Sequence, residues 1–255
     1  MDNLIKIIVI IVIYYLLLFF IGTAKRNNAI VDIGWGFGFI IVAWYSLIIS
    51  EKYVLYNILA SILVSIWGFR LCIHIFKRNK GKPEDFRYAN WRKEWGKYVI
   101  LRSFFQVYIL QGIFLFIVSS PIMLMNLSED ATKNLFAITG VIIWLIGFYF
   151  ESVGDYQLEQ FKKDKSNKGK ILDSGLWKYT RHPNYFGEAT MWWGIGIISF
   201  FSGGGLGAFI GPATITYMLL FVSGVPMLEK SFEKREGYLE YKEKTSKFFP
   251  LPPRK

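Results

Sequence analysis

The sequence predicts an all-α integral membrane protein with about seven transmembrane helices. Apolar residues make up 53% of the 255 positions and aromatic residues 18%, which is more apolar surface than a soluble domain usually carries. Apolar stretches of about 20 residues, the length of helix that crosses a bilayer, recur from end to end. They lack the alternation of a membrane β-barrel, and lipid cannot satisfy an open backbone, so helices are the remaining solution. We therefore predict a single membrane domain over 1–255.

Seven stretches define the predicted spans. They cover 4–21, 30–50, 53–76, 99–125, 134–154, 184–202 and 204–227. Pro121 and the glycines at 203–205 mark helix ends or turns. Gly34, Gly36 and Gly38 lie in the second stretch with no strand before them, so they are better interpreted as sites of close helix packing than as a phosphate-binding loop.

Lysine and arginine are concentrated in alternate connections between the spans. The segments 22–29, 77–98, 155–183 and 228–255 hold two, eight, seven and eight of the 30 basic residues. Because cytoplasmic loops carry most basic residues of membrane proteins, this alternation predicts an N-terminus outside and a C-terminus in the cytoplasm. It also accounts for the formal net charge of +11 without a nucleic-acid partner. The single cysteine, Cys72, allows no disulfide or cysteine metal site within the chain, and no metal is expected.

Polar side chains inside the spans are candidates for a functional site, because an ionisable group in a membrane is costly unless it is paired or hydrated. Asp32 opens the second span, where it suits a functional carboxylate and a helix N-cap equally well. Gln106, Tyr108 and Gln111 lie in the fourth span. They could bind a polar ligand, although hydrogen bonding between helices is the more frequent role of such residues.

The densest cluster of polar and aromatic residues lies where a basic loop enters the sixth span. Pro183 suits the first turn of a helix, whose N–H groups attract phosphate or carboxylate. The cluster comprises Trp177, Lys178, Tyr179, Arg181, His182, Asn184, Tyr185 and Glu188. Cations, stacking faces and hydrogen-bonding groups together outline a nucleotide-cofactor site. The alternative is an interfacial belt of aromatic residues with cytoplasmic lysines.

This cluster and four earlier motifs carry a resemblance to a known family. The other motifs are Val31-Asp-Ile-Gly-Trp-Gly36, Glu84-Asp-Phe-Arg-Tyr88, Phe104-Phe-Gln-Val-Tyr-Ile-Leu-Gln111 and Gly154-Asp-Tyr-Gln-Leu158. Over essentially its whole length the chain resembles the steroid 5-alpha-reductase superfamily, which also contains isoprenylcysteine carboxyl methyltransferases and sterol reductases. Within it, the chain is similar to the bacterial branch described as 3-oxo-5-alpha-steroid 4-dehydrogenase-like.

The resemblance implies an oxidoreductase that acts on a CH–CH group. Its members of this kind use NADPH to reduce a carbon–carbon double bond conjugated to a carbonyl, here in a steroid-like or isoprenoid lipid. The cofactor-binding half would be residues 125–255. The resemblance further implies a bacterial cytoplasmic membrane as the location, with membrane lipids and a lipophilic small molecule as partners.

The superfamily's cofactor motifs match named positions of this chain. The Asp-Tyr after the fifth span falls on Asp155 and Tyr156, and the Asn with Gly-Glu falls on Asn184, Gly187 and Glu188. These residues, with the basic and aromatic members of the dense cluster, are expected around the cofactor. A loop with basic residues before a proline is matched by Lys80 and Lys82, which are expected to face the cofactor phosphates.

The match is imperfect at the substrate end. The superfamily's Tyr-x-x-Arg falls on Trp67 and Arg70, which are expected at the substrate together with Gln106 and Gln111. Trp67 cannot replace a phenol at the substrate carbonyl, because indole offers a single N–H. The catalytic donor is then expected to be Tyr108 or Asp32, or the substrate is not a 3-keto steroid.

Two other functions fit the same residues. An S-adenosylmethionine-dependent methyltransferase of a lipid or prenylcysteine would use the same Arg-His-Pro-Asn loop without needing lysines for a 2′-phosphate. A non-catalytic lipid-binding protein or a transporter is the third interpretation, although the sequence shows no inverted repeat or paired half-helices.

Overall fold

The computed structural model describes residues 2–129, 134–233 and 235–254. In these ranges the chain forms helices and no strand, which confirms the all-α class. Six helical stretches there are long and apolar enough to cross a membrane, so the chain is a multi-pass membrane protein. They are Asp2–Ala24, Ile30–Ser50, Leu55–Asn79, Phe86–Val118, Ala137–Lys163 and Leu206–Lys230.

The remaining predicted span, 184–202, corresponds to a shorter α-helix. That helix, Pro183–Ser199, has 17 residues and continues into a π-helical turn at Phe200–Gly204. The number of seven crossings and the orientation of the termini stay predictions.

The chain divides into two compact units. The first combines Met1–Asn134 with Ser199–Ile210, and the second combines Leu135–Ile198 with Gly211–Lys255. The expected single domain with a cofactor-binding half from residue 125 stays a prediction.

The described part of the first unit is built mainly from α-helices. They are α1 (Asp2–Ala24), α2 (Ile30–Ser50), α3 (Leu55–Asn79), α4 (Phe86–Trp95), α5 (Val99–Ser103), α6 (Leu110–Val118) and α7 (Ser120–Leu127). A π-helical segment, Phe104–Ile109, joins α5 to α6. Asp85 caps α4, since its carboxylate accepts the Arg87 N–H at 3.0 Å.

Glycines let α2 and α3 pack backbone against backbone. A Cβ on Gly36 would lie 2.5 Å from the Gly68 carbonyl oxygen, and one on Gly68 would lie 2.6 Å from that of Gly36. Gly34 and Gly38 similarly make room for the Tyr14 side chain of α1. The predicted use of these glycines in helix packing is confirmed.

The second unit contains α8 (Ala137–Lys163), α9 (Pro183–Ser199), α10 (Ile210–Tyr217), α11 (Val225–Phe232) and α12 (Tyr238–Lys244). Glycines again set the contact between its two longest helices. Gly140 packs against Gly194, and Gly147 packs against Gly187, so α8 and α9 run antiparallel. A Cβ on Gly147 would lie 2.6 Å from the Gly187 carbonyl oxygen. Gly187, which the resemblance places near a cofactor, therefore contacts α8.

Candidate functional site

The loop that precedes α9 is anchored to α8. Gly175 turns the chain with a φ of 61°, and a Cβ there would overlap the Gln157 side chain. Gln157 accepts the Leu176 N–H at 3.0 Å, and the Trp177 indole donates to the Gly154 carbonyl at 3.1 Å. Since both anchors lie in the last turns of α8, the dense cluster of the sequence is built on that end of the helix.

The C-terminal tail continues this construction. The Arg181 N–H donates to the Ser246 carbonyl at 2.9 Å, and the Leu251 N–H donates to the Tyr179 carbonyl at 3.0 Å. The Thr180 hydroxyl donates to the Phe248 carbonyl at 2.8 Å. Two segments about 65 residues apart are thus bonded through backbone groups and the Thr180 hydroxyl, and the tail packs against the loop that precedes α9.

The buried Arg181 guanidinium connects α11 to the end of α12. It forms an ion pair with Glu229 of α11 at 2.7 Å, and the two side chains are only 7% and 14% exposed. Its Nε also donates to Glu229 at 2.8 Å, while Nη1 donates to the carbonyls of Lys242 and Thr245 at 2.8 and 2.9 Å. Arg181 is therefore committed to protein groups at the end of α12, and its expected cofactor contact stays a prediction.

His182 lies next to this ion pair and is 0% exposed. Its Nε2 is 3.2 Å from a Glu229 oxygen, and its ring stacks on Tyr185 with 5.6 Å between centroids. Its Nδ1 is buried without a hydrogen-bond partner among the described residues. Burial lowers the pKa of His182 below its ordinary value, and the charges of Arg181 and Lys247 act in the same direction against the Glu229 hydrogen bond. The imidazole is accordingly neutral at pH 7.

Two of the expected cofactor residues meet directly. The Asn184 amide donates to the Asp155 carboxylate at 3.1 Å, and its own oxygen accepts the Tyr185 N–H at 3.1 Å. Glu188 follows one turn later on α9 and is half-buried. Tyr156, beside Asp155, is 61% exposed. A polar pair therefore connects α8 to the first turn of α9 close to the anchored loop.

The remaining expected cofactor residues are at the surface. Lys178 and Tyr179 project from the loop and are exposed. Lys80 and Lys82 lie in the turn after α3, which belongs to the first unit, and they are also exposed. The second unit alone therefore brings together most of the expected cofactor residues.

A cavity of about 690 Å³ lies in the second unit beside the anchored loop. Its lining comes from the end of α8, the segment that follows α8, Trp177, the end of α11 with the loop after it, and α12. The lining residues are Leu158, Phe161, Lys162, Asp164, Lys165, Asn167, Lys168, Gly169, Ile171, Leu172, Trp177, Phe232, Arg235 and Tyr241. The volume falls in the range of about 300–1,000 Å³ that is typical of small-molecule sites.

The cavity is both basic and aromatic. Lys162, Lys165, Lys168 and Arg235 face the single carboxylate of Asp164. That carboxylate already accepts the Ser166 N–H at 2.9 Å, which lowers its pKa. The aromatic walls are Phe161, Trp177, Phe232 and Tyr241. Such a lining favours a polyanionic ligand with a planar ring.

Sequence reasoning missed most of these lining residues. It found Trp177 but did not propose a ligand site in the lysine-rich run 162–170. The available signal was that Phe161, Ile171 and Leu172 flank the lysine run, since these apolar residues favour folding of the segment back against α8.

Polar residues of the first unit form a separate cluster at the start of α2. The Asp32 carboxylate accepts from Arg87 at 2.8 Å and from the Tyr88 hydroxyl at 2.7 Å. The Gln111 amide donates to the Tyr88 oxygen at 3.4 Å. Asp32 and Gln111, which the sequence singled out as candidate site residues, are thus connected through Tyr88, which belongs to a motif of the resemblance but was given no role.

Tyr108 belongs to a neighbouring network. It lies in the π-helical segment, is 0% exposed, and its hydroxyl is 3.5 Å from the Asn28 side-chain oxygen. Asn28 also donates to Ser103 at 2.8 Å, and its N–H donates to Glu84 at 2.6 Å. The absence of a Cβ at Gly22 leaves the space that the Tyr108 hydroxyl fills. Tyr108 is held by close packing on every side.

The other expected substrate residues are dispersed. Trp67 is buried and packs edge-on against Phe39 of α2, with 5.4 Å between ring centroids. Arg70 is half-buried one turn later on α3, and Gln106 is exposed. Their roles toward a substrate stay predictions.

The sequence matches a known protein family. The model of a family described as "Protein of unknown function (DUF1295)" matches residues 18–245, most of the chain. The chain belongs to the DUF1295 family. Matches to steroid dehydrogenases also confirm the predicted relation to the steroid 5-alpha-reductase superfamily.

Relatives of this DUF1295 protein include eukaryotic proteins. An uncharacterized protein of Schizosaccharomyces pombe is 24% identical across 74% of this chain and 61% of its own length. The 3-oxo-5-alpha-steroid 4-dehydrogenase 1 of Bos taurus is 31% identical across 41% of this chain and 39% of its length. A protein of Ustilaginoidea virens named as a probable O-methyltransferase is 39% identical across 22% of this chain and 20% of its length.

The chain therefore matches less than two thirds of the length of each of these relatives. No solved structure matches it.

Proposed function

We propose that this protein is a membrane reductase that uses NADPH to reduce a carbon–carbon double bond conjugated to a carbonyl in a steroid-like or isoprenoid lipid. The observation that carries the proposal is the basic and aromatic cavity of the second unit, in a chain related to 3-oxo-5-alpha-steroid 4-dehydrogenases. The bacterial cytoplasmic membrane is the proposed location.

The cavity fits the charged part of a dinucleotide. Lys162, Lys165, Lys168 and Arg235 supply positive charge for phosphate groups, and the half-buried Phe161 supplies a ring face for an adenine. Trp177 is only 3% exposed and its indole is fixed by its bond to Gly154, so this wall of the cavity is in place before a ligand arrives. Pre-organisation of this kind reduces the entropy that binding costs.

The polar pair between α8 and α9 suits the sugar or amide groups of the same cofactor. Asp155 and Asn184 hold each other at 3.1 Å, and carboxylate and amide groups are suitable partners for hydroxyl or amide groups. The hydride that the reduction requires is the chemistry that bound NADPH supplies. A proton donor of the chain must then polarise the carbonyl oxygen of the lipid.

An S-adenosylmethionine-dependent methyltransferase is the second candidate, because a local match to a probable O-methyltransferase supports it. The cavity distinguishes the two cofactors by charge. S-adenosylmethionine has a sulfonium, an ammonium and a carboxylate group and no phosphate, so its net charge is positive and four basic residues beside one carboxylate repel it more than they attract it. NADPH is the better match on this ground.

The test is a comparison of NADPH, NADH and S-adenosylmethionine on detergent-purified protein by thermal shift and calorimetry, since a ligand that binds the native state stabilises it. We expect selective stabilisation by NADPH, followed by NADPH oxidation when an enone lipid is added. Selective stabilisation by S-adenosylmethionine would instead establish the methyltransferase. Stabilisation by none of the three would remove the cofactor assignment and favour lipid binding or transport.

Adjacent lysines of α8 give a matched pair of variants for this assay. Lys162 lines the cavity, whereas Lys163 is 60% exposed, pairs with Glu159 at 3.0 Å and does not line the cavity. Lys162→Ala should weaken NADPH binding by roughly tenfold, because a charge-assisted hydrogen bond contributes about 1.5–3 kcal/mol. Lys163→Ala should leave the affinity unchanged. Equal effects of the two substitutions would contradict a specific phosphate contact at Lys162.

A further inference from the structure

Tyr15 of α1 carries a hydroxyl that nothing in its surroundings satisfies. The side chain is 2% exposed, and its oxygen has no hydrogen-bond partner among the described residues. Its neighbour Tyr14 is 9% exposed and donates to the Gly34 carbonyl at 2.6 Å. Buried phenols usually find such a partner, so the Tyr15 O–H is exceptional within its own helix.

The surroundings of Tyr15 place it beside the Asp32 cluster. Gly112 of α6 packs against the Tyr15 ring, where a Cβ would lie 3.3 Å from a ring carbon. The preceding residue, Gln111, donates to Tyr88, and Tyr88 donates to Asp32. Helices α1, α2, α4 and α6 therefore contribute polar groups to one region.

The other donors of this region are committed to protein acceptors. Tyr88 donates to Asp32 at 2.7 Å, and Arg87 donates to the same carboxylate at 2.8 Å. Gln111 donates to the Tyr88 oxygen at 3.4 Å. Tyr15 thus provides an O–H group that can be offered to a ligand without breaking a bond of the cluster.

We propose that the Tyr15 hydroxyl binds the carbonyl oxygen of a lipophilic ligand within the first unit. A carbonyl group requires a donor and brings none of its own, which matches an uncommitted O–H among apolar helices. The proposal deepens the proposed function and rests on it for the identification of that carbonyl with the conjugated one. Tyr15, and neither Tyr108 nor Asp32, then contacts the substrate oxygen.

A pair of substitutions tests the ligand-free protein. Tyr15→Phe removes an unsatisfied hydroxyl and should raise the Tm, whereas Tyr14→Phe removes a bonded one and should lower it. The same atom is removed in both, from adjacent residues of α1, so differences in purification and detergent cancel. A Tm of Tyr15→Phe that falls as far as that of Tyr14→Phe would show that the hydroxyl is bonded within the protein, and would overturn the proposal.

A pair of ligands tests the binding. We would compare 4-cholesten-3-one with 4-cholestene, the same hydrocarbon without the oxygen, as competitors for binding to detergent-purified protein without cofactor. The wild type should prefer the ketone by about tenfold, the effect of one hydrogen bond to a buried group, and Tyr15→Phe should lose that preference. Tyr14→Phe should keep it. A preference retained in Tyr15→Phe, or no preference in the wild type, would overturn the proposal.

The two proposals fail in distinguishable ways. If NADPH neither binds nor is oxidised but the ketone preference depends on Tyr15, the carbonyl site stands and the reductase does not. If the wild type reduces enones and Tyr15→Phe binds and reduces them equally well, the reductase stands and the Tyr15 assignment is wrong.

Discussion

The buried ion pair between Arg181 and Glu229 gives the sharpest test of how the second unit is held together. Arg181→Ala removes both contacts to the Glu229 carboxylate and both bonds to the carbonyls of Lys242 and Thr245. Removal of one partner of a buried pair costs about 3–5 kcal/mol, because the other charge is left in a low-dielectric environment. His182 stays 3.2 Å from Glu229 and offsets a part of this cost. We therefore expect a loss of about 3 kcal/mol of unfolding free energy.

The assay is unfolding by sodium dodecyl sulfate in mixed micelles, followed by limited digestion with trypsin, which cleaves at the lysines of α12 and the tail. Lys244→Ala is the control, because Lys244 and Glu240 form an exposed pair on the same helix at 2.6 Å. That variant should unfold like the wild type, since exposed pairs contribute little. Arg181→Ala should also expose the tail to trypsin. A loss below about 1 kcal/mol, with the tail still resistant, would refute the assignment of Arg181 as the residue that holds α12.

Three further outcomes follow from the geometry. The pKa of His182 is lower in the folded protein than in the unfolded chain. Below about pH 6.5 the unfolded chain therefore binds the proton more readily, and the free energy of unfolding decreases as the pH is lowered. His182→Gln should consequently show a smaller loss of Tm than the wild type between about pH 7 and pH 5.5. Gly194→Ala places a Cβ 2.6 Å from the Gly140 carbonyl oxygen and should cost about 1–3 kcal/mol in the same denaturant titration. A double-mutant cycle of Asp32→Asn and Arg87→Met should give a coupling of about 0.5–3 kcal/mol, and additive losses would contradict a direct ion pair.

The membrane helices were predictable because their signal is local. In lipid, the backbone N–H and C=O groups of a stretch of about 20 apolar residues find hydrogen-bond partners when the stretch forms a helix, whatever segments lie beside it. The predicted 30–50 coincides with α2 for this reason. Helix interruptions were less predictable. Within the predicted span 99–125, α6 ends at Val118, and α7 begins as a separate helix at Ser120, with Pro121 in its first turn.

Individual residues of the candidate sites were predictable, but their hydrogen-bonding partners were not, because those partners come from distant segments of the chain. Asp32 was recognised from its cost in a membrane, but nothing near it in sequence indicates that Arg87 and Tyr88 satisfy it. Likewise the motif around His182 could be identified, whereas its bond to Glu229 depends on how α11 folds back. A buried charge in a sequence predicts that a partner exists without indicating where.

Arg181 shows how a count of the donors already in use adds to an interpretation based on a motif. A basic residue two positions before the proline that starts a helix is a typical phosphate ligand. Of the five N–H groups of its guanidinium, however, four are used: Nε and Nη2 on Glu229, and two from Nη1 on backbone carbonyls. One remaining N–H cannot balance the several negative charges of a dinucleotide phosphate. Under the proposed function, residues such as Lys162 and Arg235 would meet the phosphate charge, which is why the cavity and not the motif carries the cofactor proposal.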